Sequence, residues 1–288
     1  MRLPAYSWIG LGILTVSEAA MFARVEPFWT WHTPIAWTAY ILLVDGIVYA
    51  KRGSSWWMTN RREFVFLTAV SVPLWLIFEA YNLLIKNWYY INLPQNLIVR
   101  YFGYAWAFAT ICPGIFQTAE LVACFRASRS GEQAGAPART FARRAPAGKR
   151  STRDTVFIAI GAVMLLWPIV WPSPYLAAPV FLGFVFLLDP LNAHAGDESL
   201  LADIRNRRYA RLINLLTGGF ICGGLWEFWN YWARAKWIYT VPILGDLKIF
   251  EMPVLGYFGF PPFALECFTM YVFVRRISWR GQRRPIAL

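Results

Sequence analysis

The chain has 288 residues, 58% of them hydrophobic, 18% aromatic and only 15% charged, with net charge +12 and mean hydropathy +0.40. Soluble domains carry about 25% charged residues, so the composition excludes an ordinary soluble domain and points to an integral membrane protein. The basic excess lies in loops between apolar runs with no recognition motif beside it, which excludes nucleic acid and points to anionic lipid head groups at the cytoplasmic face.

Apolar windows long enough to cross about 30 Å fall at 5–23, 33–50, 64–87, 99–125, 155–171, 174–190, 210–233 and 252–276. They predict an all-α polytopic fold of about eight transmembrane helices. A single Arg2 precedes the first run, which reads as a retained helix and not a signal peptide. Trp171-Pro172-Ser173-Pro174 joins the fifth and sixth windows by a tight turn, and two full spans are expected there. Arg and Lys concentrate on one side, at Lys51–Arg52, Arg61–Arg62, Arg205–Arg208 and Arg275–Arg284. The positive-inside rule then places both termini in the cytoplasm, in a membrane of the bacterial inner (plasma) type.

Residues 127–153, rich in Ala, Gly, Ser, Pro and Arg, read as a basic flexible cytoplasmic linker between units 1–126 and 154–288. The two units share motifs in the same order. Leu42-Leu43-Val44-Asp45 matches Phe186-Leu187-Leu188-Asp189, and Asn60-Arg61-Arg62 matches Asn206-Arg207-Arg208. Glu79 and Asn82 match Glu227 and Asn230, Trp88-Tyr89-Tyr90 matches Trp237-Ile238-Tyr239, and Tyr101-Phe102-Gly103 matches Tyr257-Phe258-Gly259. Four spans per unit give both copies one orientation, so the expected plan is two parallel four-helix repeats about an axis along the membrane normal.

Acids inside apolar spans are costly and usually functional. Glu79, Asn82 and Lys86, like Glu227, Asn230 and Arg234, are spaced i, i+3, i+7 and are expected on one helix face. They form either an interhelical ladder or a site where a poorly solvated acid lends a proton. The C-terminal unit adds Glu251 and Glu266 without counterparts. The interrupted segment 248–262 suggests a sheltered hollow on which Glu227, Glu251 and Glu266 converge. The expected catalytic set is therefore Glu227, Glu251, Glu266 and Asn230, with Glu79 and Asn82 as the repeat counterpart and Trp226, Trp229 and Tyr257 as pocket walls. Glu18 is read as interfacial or an entrance group, Glu120 as a surface partner of Arg126, and Asp45 and Asp189 as helix caps.

Cys112, Cys124, Cys222 and Cys267 are isolated in apolar runs, and His32 and His194 are the only histidines, so no metal or cofactor site is expected.

Trp226-Glu227-Phe228, an intramembrane acid amid aromatic residues, resembles the integral-membrane terpene cyclases, including the fungal meroterpenoid cyclases and the heterodimeric lycopene cyclases. The resemblance covers this three-residue core and the general plan. It implies that Glu227 protonates an alkene or epoxide and that rings shelter the cation. The chain departs from it in its eight spans and in lacking the lycopene-cyclase motif of proline followed by paired acids. The expected function is an intramembrane cyclase, isomerase or hydratase acting on an isoprenoid or other lipid. The alternatives are a proton-coupled lipid or solute transporter and a non-catalytic lipid- or pigment-binding subunit.

Overall fold

The computed structural model describes residues 2–129, 151–279 and 286–288. The protein is an all-α polytopic membrane protein. Its first half runs α1 (Ala5–Phe22), α2 (His32–Arg52), α3 (Trp56–Thr59), α4 (Arg61–Ile85), strand β1 (Trp88–Ile91), α5 (Leu97–Ala109) and α6 (Ile111–Arg129). The second runs α7 (Thr152–Val170), α8 (Ala177–His194), α9 (Leu200–Arg205), α10 (Ala210–Trp232), strands β2 (Lys236–Tyr239), β3 (Lys248–Ile249) and β4 (Met252–Pro253), and α11 (Phe260–Ser278).

Among the described residues, seven spans are long and apolar enough to cross a membrane, not eight. The window 210–233 does form α10, and its 23 residues are long enough, but Arg211, Asn214, Glu227 and Asn230 lower its apolar character and are all buried. The window 99–125 is two helices, broken at Thr110. Most of the expected linker lies outside the described residues, and helix runs into both its ends.

The same local chemistry builds both halves. A Cβ on Gly10 would meet the Ala39 carbonyl at 2.7 Å and the Leu43 nitrogen at 3.0 Å; one on Gly161 would meet the Gly183 carbonyl at 2.8 Å and press on the Leu187 nitrogen. Both glycines thus let a first helix lie directly on the backbone of the second, as small residues do where no hydrophobic force drives helix pairing. Gly161→Ala is expected to cost about 1–3 kcal/mol through forced separation of α7 from α8. Gly12→Ala, which fills open space, should not; unfolding in detergent distinguishes them.

Asp45 and Asp189 cap the short helices that follow. Asp45 accepts from the Ser55 hydroxyl (2.8 Å) and the Trp57 N–H (3.0 Å), and Asp189 from the Ser199 hydroxyl (2.7 Å) and the Leu200 and Leu201 N–H groups (2.9 and 2.7 Å). These orphan donors at a helix start are the groups a carboxylate satisfies best.

β1 and β2 pair antiparallel, Trp88 opposite Tyr239, Tyr89 opposite Ile238 and Tyr90 opposite Trp237. Because Trp88 and Tyr90 correspond in sequence to Trp237 and Tyr239, each partner occupies the other's place on rotation about the Tyr89–Ile238 pair. The resulting ribbon ties the two halves where α4 and α10 end. Trp37, Phe78, Phe116, Phe268 and Tyr271 fill the core between them.

Candidate functional site

Beneath the ribbon lies a cavity of about 510 Å³ between the halves, within the range of about 300–1,000 Å³ common for small-ligand sites. Trp37 of α2, Trp75 of α4, Trp88 and Tyr90 of β1, Tyr104 and Phe108 of α5, Phe181 of α8, Trp226 of α10, Trp237 and Tyr239 of β2, and Phe260 and Phe263 of α11 line it. The walls are overwhelmingly apolar; among the described residues Arg100 and Lys236 are its only cations.

None of the expected acids lines this cavity. Glu79 and Glu227 sit one layer behind it, each reaching it through a tyrosine. Tyr90 donates to Glu79 Oε1 at 2.5 Å and Tyr239 donates to Glu227 Oε1 at 2.9 Å. Asn82 and Asn230 hold the strands that carry these tyrosines. Asn82 Oδ1 accepts the N–H of Trp88 and its Nδ2 donates to the Trp88 carbonyl, at 3.2 and 2.8 Å. Asn230 does the same with Trp237, at 2.9 and 2.8 Å. The asparagines therefore clamp strand to helix. Burial, followed by the adjacent carboxyl, raises both tyrosine hydroxyls well above the usual phenol value.

The two acids differ in how well they are satisfied. Glu79 Oε1 also accepts the indole N–H groups of Trp75 (2.8 Å) and Trp88 (3.2 Å). In the C-terminal half Gly223 stands at the position that matches Trp75 (223 − 75 = 148, the offset of 227 − 79). The Phe260 ring packs directly on Gly223, leaving no room for a Cβ. Trp237 Nε1 donates to the Tyr239 hydroxyl at 2.8 Å. Glu227 is fully buried, and its Oε2 has no partner among the described residues.

The expected convergence of Glu227, Glu251 and Glu266 does not occur. Glu251 is bound to Lys236 at 2.5 Å in a separate polar hollow. Glu266, on α11, is turned to α8 and accepts the Phe184 N–H at 2.9 Å, its Oε2 also without a partner. The irregular stretch 248–259 brings Met252, Leu255 and Gly256 to the cavity rather than its acid. Of the expected walls, Trp226 lines the cavity. Trp229 instead donates to Glu18 at 2.7 Å and packs on Trp37, and Tyr257 donates to the Ile249 carbonyl at 2.9 Å.

The basic ends of the two ladders leave the helix face. Lys86 terminates α4 with φ 51°, and Arg234 lies beyond α10, paired with Glu26 at 2.9 Å. Glu120 is buried against Arg52 at 2.7 Å, while Arg126 donates to Asn214. Tyr90 and Tyr239 were not among the expected site residues. The repeated Trp-x-Tyr that follows each of these acids is the signal that marks them.

No family model, curated protein or solved structure matches the chain.

Proposed function

We propose that the protein is an intramembrane enzyme that binds an elongated apolar lipid, of isoprenoid type, in the aromatic cavity and acts on it by proton transfer through the Glu227–Tyr239 pair. The observation that carries this reading is the Tyr239 hydroxyl at the cavity wall with an incompletely satisfied carboxyl directly behind it. A hydroxyl both donates and accepts. As Tyr239 gives its proton to a substrate double bond or epoxide, it takes the carboxylic-acid proton of Glu227, leaving a carbocation in the cavity and a carboxylate at Glu227. The rings of Trp226, Trp237 and Phe263 shelter the cation. Loss of a proton from the substrate, or from water adding to it, returns along the same path and restores the pair.

On this reading the halves are parallel repeats of one four-helix unit, and the first copy, with three donors on Glu79 Oε1, serves as scaffold. The basic loops face the cytoplasm of a bacterial inner membrane and contact anionic lipid there.

The two-fold placement of Glu79–Tyr90 and Glu227–Tyr239 about one cavity favours a second reading, proton-coupled transport, in which both copies carry equal weight. Lipid-extract mass spectrometry of cells with and without the protein decides between them. The enzyme reading expects a lipid of changed structure, lost with Tyr239→Phe although that protein inserts normally. Redistribution of an unchanged lipid would contradict it.

A further inference from the structure

A second hollow, of about 560 Å³, opens beside the ends of α1 and α10. Its wall holds three cations, Arg24, Arg234 and Lys236, against one carboxylate, Glu251. Lys236 is matched by Glu251 at 2.5 Å, and Arg234 by Glu26 at 2.9 Å. The contact shown for the Arg24 guanidinium is the face of Trp29, 5.5 Å from the ring centre, and Arg234 lies 5.4 Å from the same ring. The Arg234 N–H donates to the Trp29 carbonyl at 3.0 Å, so loop and turn hold this arrangement rigidly. A guanidinium over an aromatic face can still offer its N–H donors in a planar fork suited to phosphate; Arg24 does so here, and Arg234 adds the donors that Glu26 leaves it.

The hollow is placed where a lipid would meet it. Tyr231 and Trp232 form its rim, as aromatic side chains do at membrane interfaces, and Phe22 and Met21 floor it. Below it α1 exposes Trp8, Ile9, Ile13, Val16 and Phe22, an apolar track for acyl chains. We infer that this hollow binds the phosphate head group of an anionic membrane lipid, with Arg24 and Arg234 as its ligands and the chains lying on α1. The hollow shares Lys236 with the aromatic cavity, but its proposed ligands Arg24 and Arg234 do not line that cavity, and the inference does not depend on what the cavity does.

Native mass spectrometry of the delipidated full chain tests this with dioleoylphosphatidic acid, dioleoylglycerol and inorganic phosphate. The wild type should retain one phosphatidic acid at least tenfold more tightly than dioleoylglycerol, and added salt should weaken it. Arg24→Gln with Arg234→Gln should abolish that preference, while Arg24→Lys with Arg234→Lys should keep part of it, which shows that charge and not folding is at issue. Equal retention by the Gln pair, or no preference for the phosphate-bearing lipid, overturns the inference. Inorganic phosphate competing as well as the lipid overturns the lipid as its source.

Discussion

Glu227→Gln is expected to lower product formation by at least about a hundredfold, since a positioned general acid contributes roughly 10²–10⁴ in rate. The amide fits the same space and still accepts the Tyr239 hydroxyl, so insertion and unfolding should change little, but it has no carboxylic proton to pass on. Glu79→Gln should cost far less. Its oxygen holds three donors at once and an amide oxygen can keep them, so the expected consequence is a modest loss of stability with activity largely retained. Product yield per inserted protein, measured for the two variants side by side, checks this. Equal loss in both would favour transport, and loss of insertion in both would reduce the acids to helix pairing.

The second large effect concerns stability at the opposite end of the bundle. Arg275, buried on α11, donates to Glu63 of α4 at 2.9 Å and to Glu198 of the α8–α9 loop at 2.5 Å. Tyr271 adds a bond to Glu63 at 3.2 Å, and Glu198 also accepts the Ile286 N–H at 3.2 Å. One guanidinium therefore bridges two carboxylates from different elements. Arg275→Gln removes the guanidinium that bonds both acids and leaves Glu198 with the weaker charge of Arg211, and breaking a buried ion pair in this way costs about 3–5 kcal/mol.

The pH dependence has a definite sign. Burial alone would raise Glu198, but the charge and hydrogen bond of Arg275, with a backbone N–H and the Arg211 charge, together outweigh it and the carboxyl sits below its ordinary value. A group lowered on folding contributes stability above its unfolded value of about 4.3 and loses it as pH falls through the folded one. Wild-type protein should therefore resist acid to below that value, and Arg275→Gln should begin to unfold at higher pH. Unfolding midpoints across an acid series measure both. Coincident acid limbs would show that Arg275 does not hold Glu198.

Composition and hydropathy alone made the membrane class and most of the helices legible, because a lipid-facing helix must be apolar along its whole length. The paired motifs foretold equivalent contacts, since Asp45–Ser55 and Asp189–Ser199 are local in sequence. Side-chain direction was not legible. The i, i+7 spacing put Lys86 and Arg234 on the acid face only if the helices continued, and both end first, α4 in a left-handed residue at Lys86 itself and α10 at Trp232. Glu251 was drawn to Lys236 by a charge fifteen residues away, across a turn that no periodicity describes. The cavity's two tyrosines were missed for a related reason: Tyr90 and Tyr239 lie outside the helices, and only strand pairing turns them inward.

The most direct measurement is a cryo-electron microscopy map of the protein purified with its native lipids. The account predicts elongated density inside the aromatic cavity, passing within hydrogen-bond reach of the Tyr239 hydroxyl and flanked by Trp226 and Phe263. An occupied outer surface around a cavity closed by its own side chains, or density that approaches Glu79–Tyr90 and avoids Tyr239, would contradict it.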